Sequence, residues 1–265
     1  MTAAVKQNLY SVKMVAYKAQ MAKKPSNARA ISRATPTKAA SPARGRRKPG
    51  APRSAAASEE APYHHGALRD ALLEAAERVL ERDGLAGLTL RAVAREAGVS
   101  HAAPTHHFGD LTGLVSELAA IGFRQFNTAM AAAGSAAGPA LMEKALARAK
   151  AYVAYAQAHP GMYGLMFRTE RLDMKRPALH QAAEASFAGL AGAIGASRQE
   201  QISETALSLD QGAAIARAWS LVHGFTMLLL DHRLCDILRR LPKGTDAETL
   251  LDAMLKSTIG RPPGL

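Results

Sequence analysis

The chain has 265 residues, of which 48% are hydrophobic, enough for a substantial core, and a formal net charge of +12. Its one cysteine, Cys235, excludes an internal disulfide and a zinc site built from several thiolates, and we expect it to be a small buried hydrophobe. The longest apolar stretch, residues 213–230, is interrupted by Arg217 and His223, so we expect a soluble protein without a membrane span.

Residues 1–60 carry almost all of the positive charge, with thirteen Lys or Arg against two Glu, which leaves +1 for residues 61–265. A composition rich in cations, Pro, Ala and Ser predicts a disordered basic tail. We hypothesise that residues 38–53 form a basic arm along DNA phosphates or in an adjacent minor groove. The alternatives are a solvated leader, an extension left by a misplaced start with Met21 as the true first residue, or a mimic of an organelle targeting peptide over residues 5–21.

Deletion of residues 1–60 tests the arm. Each Lys or Arg that contacts a phosphate releases counterions, so the shortened chain should show a flatter dependence of log K on log salt concentration. The measurement is operator binding across a salt series for the full-length and shortened chains. An unchanged slope would contradict the arm.

Residues 85–114 begin with a short predicted helix and a tight turn. Thr89 is a preferred N-cap residue, and the apolar residues after it recur at helical spacing, at Leu90, Val93, Ala94 and Ala97. Gly98 supplies the left-handed backbone conformation that ends the helix. Val99 is an apolar turn residue that can fill the angle between two helices.

A second short helix is predicted from about residue 101 to Phe108, with Ser100 as its N-cap. Pro104 lies just past the first turn, where its missing N–H is least costly. The solvent face of this helix would carry small or hydrogen-bonding side chains, namely His101, Ala102, Thr105 and His106. Since the DNA major groove accepts a helix whose side chains reach base edges, the pattern predicts a helix-turn-helix DNA-reading module. A generic helical hairpin is the alternative for the local pattern.

Three ordered pieces of the sequence resemble the DNA-binding domain of the TetR family of bacterial transcriptional regulators. Tyr63-His64-His65-Gly66 with residues 68–73 resembles the first helix and its lead-in, and residues 84–94 resemble the following loop and second helix. Gly98-Val99-Ser100 with Phe108 resembles the turn and the end of the recognition helix. The resemblance extends to about Leu118 and implies a three-helix domain that reads an operator.

We predict seven DNA contacts in this domain. Thr89 and Ser100 are expected to contact phosphates, and Arg91 to reach a phosphate or a base. Four residues of the second helix and its start are expected to read bases: His101, Ala102, Thr105 and His106. Family members commonly have Tyr at the position of Thr105 and Lys at the position of Leu111. Both usual residues are expected to touch phosphates, so this sequence departs from the family at two anchoring positions.

No metal site or cofactor is predicted. Five of the nine histidines fall in the reading module, but adjacent histidines on a helix diverge by about 100° and no third ligand follows at metal spacing. Residues 61–117 contain five Arg and eight acidic residues, so this module is acidic for a DNA-binding domain, and the basic tail is the candidate for its compensation.

From about residue 114 the sequence predicts successive helices, without an alternating strand pattern. The predicted spans are residues 114–133, 141–158, 162–167, 178–194, 211–230 and 246–259, with a loop over residues 134–139 and a stop at His159-Pro160-Gly161. The fold class is therefore all-α. The predicted domains are a tail over residues 1–60, a helix-turn-helix domain over residues 61–112 and a helical effector-binding and dimerisation domain over residues 113–265.

Trp219 with His223-Gly224, together with residues 159–163, resembles the C-terminal domain of one TetR branch, which is named for its Trp-His-Gly signature. The resemblance implies a dimerising, effector-binding domain. Flexible Met among aromatic residues suits a pocket between helices, although each such residue taken singly is more often core. The predicted ligand-binding residues are Tyr152, Tyr155, Met162, Met166, Phe167, Trp219 and His223.

We predict a homodimer, because the helices at residues 211–230 and 246–259 expose more apolar surface than one protomer of this size would bury. Two-fold symmetry then predicts an inverted-repeat DNA operator. A small, largely apolar effector is expected to shift the helix that begins near Leu111, change the separation of the two recognition helices and release the operator. The expected function is a bacterial, cytoplasmic, nucleoid-associated transcriptional repressor.

An enzyme is not predicted, since the sequence contains no metal motif, P-loop or nucleophile elbow. Gly189, Gly192 and Gly195 are spaced by three and indicate close helix packing rather than a dinucleotide loop. The alternative function is a nucleoid-associated or architectural protein that binds DNA through its basic tail without sequence preference.

Overall fold

A computed structural model describes residues 64–203 and 205–259, without the side chains of residues 64–66, 169, 258 and 259. The predicted basic tail lies outside these ranges. Within them every regular element is helical, which confirms the all-α prediction. The elements are α1 (His64–Gly87), α2 (Leu90–Glu96), α3 (Ala103–Phe108), α4 (Leu111–Ala136), α5 (Leu141–Ala158), α6 (Pro160–Met166), a 3-10 turn (Thr169–Arg171), α7 (Pro177–Arg198), α8 (Leu209–Leu230), α9 (Cys235–Leu238) and α10 (Ala247–Ile259).

The first three helices form a small head built on the apolar face of α1. Leu72, Val79 and Leu80 are fully buried there and belong to the same core as Val93 of α2 and Phe108 of α3. The regular part of α1 ends where Gly84 adopts a φ of 67°, a conformation that residues other than glycine rarely take. The chain then makes one further turn before α2, within the predicted loop.

Both predicted signals that bound α2, its N-cap Thr89 and its terminating glycine Gly98, are confirmed. The Thr89 hydroxyl accepts a hydrogen bond from the Ala92 amide at 3.1 Å, and Gly98 has a φ of 69°. The amide of Val99 donates to the Ala94 carbonyl at 3.0 Å, which closes the helix end, and the Val99 side chain packs against the core.

The recognition helix α3 begins later than predicted, at Ala103 rather than at residue 101, and Ser100 is not its N-cap. In a helix capped by Ser100, residue 104 would donate the first backbone hydrogen bond to the Ser100 carbonyl, and Pro104 has no N–H. The Ala103 amide makes a shorter-range bond to that carbonyl at 3.0 Å instead. The helix proper then starts with Pro104 in its first turn.

The longest helix, α4, joins the head to the rest of the molecule. Its N-cap is Asp110, whose carboxylate accepts a hydrogen bond from the Gly113 amide at 2.7 Å. The helix runs on to Ala136, so the prediction of a loop starting at Gly134 is wrong. Gly134 is buried because the Arg148 side chain of α5 lies where a Cβ would project, and glycine admits that approach without breaking the helix.

The last helix, α10, packs inside the same protomer. Leu251 and Leu255 are 1% and 7% exposed and belong to a second apolar cluster with Ala149 and Val153 of α5. Lys150 holds the outer side of the contact through ion pairs to two α10 carboxylates, Glu248 at 2.9 Å and Asp252 at 3.2 Å. The prediction that this helix exposes an apolar stripe for dimerisation is therefore wrong, because α5 covers the stripe.

The helix α8 differs from the sequence expectation in one respect and agrees with it in another. Among the described residues it is long and apolar enough to cross a membrane by length and composition, despite Arg217 and His223. Only 22% of its apolar window is buried, so much of this helix is exposed in a single protomer, as expected for residues 211–230.

Cys235 begins the surface helix α9 and is exposed, contrary to the prediction that it is buried. The neighbouring Leu234 is the residue that turns into the core, with 4% of its surface exposed.

Candidate nucleic-acid interface and aromatic cluster

The predicted DNA contacts lie on the surface of the head, at the start of α2, in the turn and on one side of α3. All seven are exposed: Thr89, Arg91, Ser100, His101, Ala102, Thr105 and His106. The opposite side of α3 carries Pro104 and Phe108, which are buried. The recognition helix therefore presents its small and imidazole side chains to solvent, while its apolar residues fix it to the head.

Part of the acidity of the head is paired within the protein. The Glu96 carboxylate accepts from Arg82 at 2.9 Å and Arg78 at 3.0 Å, and these bonds lower the pKa of Glu96. Glu117 likewise bonds Arg69 at 2.6 Å. These ion pairs leave the net charge of residues 61–117 unchanged, because their arginines are already counted in it, but they neutralise Glu96 and Glu117 locally.

A polar centre lies inside the second predicted site. The Tyr152 and Tyr163 hydroxyls are each 2.9 Å from Nδ1 of His223, and the Tyr163 hydroxyl donates to that of Tyr152 at 3.2 Å. With Nδ1 unprotonated, two hydroxyl protons serve three close contacts, so one contact has no hydrogen bond. The three groups come from α5, α6 and α8 and tie these helices together.

Burial keeps both phenols of this centre protonated. Removal from water raises the pKa of Tyr152 to about 12, which hydrogen bonds from Tyr163 and Trp219 partly oppose. The same cause raises the pKa of Tyr163 well above its ordinary value. Both hydroxyls therefore remain hydrogen-bond donors throughout the physiological pH range.

Aromatic rings surround the polar centre. The Phe167 ring lies 4.7 Å from that of His223 and the Trp219 ring lies 6.1 Å from it, measured between centroids. Phe126 of α4 packs edge-on against Tyr152 at 4.9 Å. We call Phe126, Tyr152, Tyr163, Phe167, Trp219 and His223 the aromatic cluster. Phe167, Trp219 and His223 are partly exposed, so the cluster is accessible from the side of α8.

The structure brings four of the seven predicted ligand-binding residues into this cluster: Tyr152, Phe167, Trp219 and His223. The other three line its α4 side. The Tyr155 hydroxyl donates to the Gly122 carbonyl at 3.1 Å, and a Cβ on Gly122 would lie 2.7 Å from Met162 and 3.0 Å from Met166. The prediction omitted Tyr163 from the site, although its helical spacing to Met166 and Phe167 could have identified it.

The side chains of the cluster fill one another's space. Met162, Tyr163 and Met166 are at most 1% exposed. A cleft of about 200 Å³ lies elsewhere, between the α1–α2 connection and the start of α4, with Leu88, Leu111 and Thr112 in its lining.

The short helix α6 connects the cluster to the head. The Glu81 carboxylate of α1 accepts hydrogen bonds from the first amides of α6, Met162 at 3.0 Å and Gly161 at 3.3 Å. Gly161 permits this approach, because a Cβ there would lie 3.0 Å from the Leu80 carbonyl. The residue after Met162 in the same helix is Tyr163, a member of the cluster. The seven-residue helix α6 thus connects the head to the cluster.

Two family profiles match the chain. One, described as bacterial regulatory proteins of the tetR family, matches residues 72–118, which contain most of the head. The other, described as a tetracyclin repressor-like C-terminal domain, matches residues 145–258, which contain most of the aromatic cluster. The Trp-His-Gly branch stays a prediction. A search of curated proteins found no match.

Solved structures share the fold over most of their length. A protein of unknown function from Rhodococcus sp. RHA1 is 31% identical, with 76% of this chain and 98% of that chain covered and a TM-score of 0.60. A putative tetR family regulator from Shewanella sp. PV-4 is 19% identical, with 72% and 97% covered and a TM-score of 0.53. FadR from Bacillus subtilis, solved with stearoyl-CoA, is 15% identical, with 72% and 97% covered and a TM-score of 0.53.

The two more distant similarities concern the fold. The similarity to the Rhodococcus protein is also a similarity of sequence, in its identity and its coverage. The two profiles match the sequence of the reading head and of the helical domain, in that order. The chain belongs to the TetR family of bacterial transcriptional regulators.

Proposed function

We propose that the protein is a dimeric, cytoplasmic repressor that binds an inverted-repeat operator and is released by a small, largely apolar effector. The observation that carries this proposal is the short connection between two sites, the exposed reading face of α3 and the partly exposed aromatic cluster. The connection runs through α4 and through the bonds from Glu81 to α6. A change at one site therefore has a short path to the other.

The dimer contact is assigned to α7 and α8. On α7 the exposed face is made of small residues, including Ala185, Gly189, Gly192 and Ala196. On α8 it includes Ala213, Ala216, Met227 and Leu228, and the last two are 40% and 47% exposed. Small residues let helices approach closely, and apolar side chains exposed on one helix favour burial by a partner. A second copy would bury both faces in a four-helix contact.

The glycines of α7 support this assignment. The space around the Cβ position of Gly189 and of Gly192 is open within the protomer, so these two do not mark close packing inside it. Gly195 does, since a Cβ there would lie 2.6 Å from the Glu200 carbonyl. The contacts described within one protomer do not explain why two exposed positions on this helix face are glycine. Close packing of a partner helix against the face would explain both.

The effector site is assigned to the aromatic cluster. Six rings and two adjacent Met side chains form an apolar lining, and the two hydroxyls with the imidazole give it a polar centre that can orient a ligand. An effector that enters between Trp219 and Phe167 would separate Tyr163 from His223 and move α6. Because α6 is bonded to Glu81, the head would move with it. By linkage, effector and operator then oppose one another by equal factors, typically about 5- to 150-fold.

Selection of bound DNA from a random pool tests the operator. We expect an inverted repeat whose binding resists excess random DNA. Arg91→Ala or His106→Ala should weaken operator binding by about 5- to 150-fold, from the 1–3 kcal/mol of a base or phosphate contact. Arg124→Ala, which removes an exposed cation from α4, is the control and should bind as the parent does. Displacement of the protein from its operator by excess random DNA would instead favour the architectural alternative.

Sedimentation and fluorescence test the rest of the proposal. A monomer at micromolar concentration would exclude the symmetric dimer. Trp219 is the one tryptophan of the chain, so its emission reports on the cluster in a screen of small apolar compounds. A compound that changes this emission should also release the operator, and compounds that change one property without the other would refute the coupling.

A further inference from the structure

Arg176, the residue that precedes α7, reaches the end of the recognition helix. Its Nη2 donates a hydrogen bond to the carbonyl of Phe108, the last residue of α3, at 3.0 Å. Its Nη1 lies 3.5 Å from a carboxylate oxygen of Glu117 on α4. One guanidinium group thus joins α3, α4 and α7, and the two contacts use separate nitrogens of the fork.

The same end of α3 is held from its other side by α1. Arg69 pairs with the second oxygen of Glu117 at 2.6 Å, and its guanidinium carbon lies 5.6 Å from the centre of the Phe108 ring. A cation at a helix C-terminus is favourable because the last carbonyls carry partial negative charge. The two arginines and the carboxylate between them therefore enclose Phe108 and hold the end of α3 against α1, α4 and the start of α7.

Neighbouring residues are adapted to this contact. A Cβ on Gly113 would lie 2.0 Å from the Phe108 carbonyl oxygen and 2.4 Å from Nη2 of Arg176, so glycine is required there. The buried hydroxyl of Ser116 accepts a hydrogen bond from the Asp173 amide at 2.8 Å. The segment that carries Arg176 is thereby attached to α4 at a second point.

The arrangement carries a cost. The Nε of Arg176 is buried without a hydrogen-bond partner among the described residues, and the Asp173 carboxylate lies 4.0 Å from it. A buried donor left unpaired disfavours the folded state. An apolar side chain would avoid that penalty but would lose the bond to the Phe108 carbonyl, which holds the end of α3 in a defined geometry.

We propose that Arg176 is a positioning residue that fixes the recognition helix relative to α7 and thereby sets the half-site spacing that the dimer reads. Since α7 belongs to the proposed dimer contact, the distance between the two α3 helices depends on how each is held to its own α7. The inference rests on the proposed dimer. Without the guanidinium link, the recognition helix of each protomer can change its orientation relative to α7, and the dimer then tolerates operators with another half-site spacing.

The test compares two duplexes, the selected operator and the same sequence with one base pair inserted at its centre. The insertion moves the half-sites apart by about 3.4 Å and rotates them by about 35°. Binding is measured for the parent, Arg176→Met and Arg176→Lys, and for a single half-site. The matched control is Lys175→Met, which removes one exposed cation from the same segment. Circular dichroism and sedimentation confirm that each variant is a folded dimer.

We expect the parent to prefer the selected operator and Arg176→Met to reduce that preference about tenfold, equivalent to about 1.4 kcal/mol, with half-site affinity unchanged. Arg176→Lys keeps the charge but cannot engage both acceptors as a fork, so it should reduce the preference in the same direction. If Arg176→Met does not fold, this lysine variant decides. Lys175→Met should keep the preference of the parent.

An unchanged preference in the Arg176 variants would overturn the inference while leaving the proposed function standing. Equal loss of preference in Lys175→Met would also overturn it, because charge and not geometry would then be responsible. A parent that does not distinguish the two duplexes, or that binds as a monomer, would refute the proposed dimeric function itself and the inference with it.

Discussion

Replacement of Gly113 by alanine should lower the free energy of unfolding by about 3 kcal/mol or more and abolish operator binding. The added methyl group would lie 2.0 Å from the Phe108 carbonyl oxygen and 2.4 Å from the Arg176 guanidinium. The carbonyl belongs to the backbone at the end of α3, so it cannot give way as a flexible side chain does. Either α4 shifts, or the recognition helix loses its position.

Thermal unfolding measures the stability part, with an expected decrease in Tm of about 6–12 °C for a domain of this size. Gly164→Ala is the matched control, since the space around its Cβ position in α6 is open. Alanine is the better helix former, so that variant should gain about 0.5–1 kcal/mol. A Gly113→Ala protein as stable as the parent would show that α3 and α4 are not packed as described.

Stability should fall steeply above about pH 10, by about 3 kcal/mol between pH 10 and pH 11, through three buried tyrosines. Burial raises the pKa of Tyr152 to about 12 and also raises the pKa of Tyr155 and Tyr163 above the ordinary value. The unfolded chain releases these protons above about pH 10 while the folded chain retains them. Rising pH therefore favours the unfolded state, by about 1 kcal/mol for each tyrosine over this interval.

Urea unfolding at pH 9, 10 and 11 checks this slope, with Tyr155→Phe as the comparison. Tyr155 donates its hydrogen bond to the Gly122 carbonyl, outside the polar centre of the cluster, so its removal leaves Tyr152 and Tyr163 in place. Its loss should reduce the stability advantage of the parent by about 1 kcal/mol between pH 10 and pH 11. A difference between the two proteins that does not change with pH would show that this phenol ionises normally in the folded chain.

Much of the head could be predicted from the sequence, because its signals act over three or four residues. Thr89 caps α2 and Gly98 ends it, as expected from the preferences of a hydroxyl and a glycine at those positions. The exposed side of α3 also follows from its residue types. Where a second local constraint competed, the prediction failed: Pro104 delayed the start of α3, and Ser100 lost its role as cap.

The candidate effector residues were predicted as a set of large apolar side chains, but not as an arrangement. His223 meets Tyr152 and Tyr163 across 71 and 60 residues of chain, and periodicity along one helix carries no information about such a meeting. Cys235 shows the same limit. An isolated cysteine has a general preference for burial, and only the packing of Leu234 decided that Cys235 would be exposed.

The sequence by itself determined that this protein is helical, where its main helices lie and which family it resembles, because backbone hydrogen bonds, caps and apolar spacing are local properties. Only the tertiary structure decided that α10 is covered by α5, that Glu81 caps α6 and that Arg176 reaches Phe108 across 68 residues. Those contacts arise when several helices bury their apolar faces at once and bring distant polar groups within hydrogen-bonding distance.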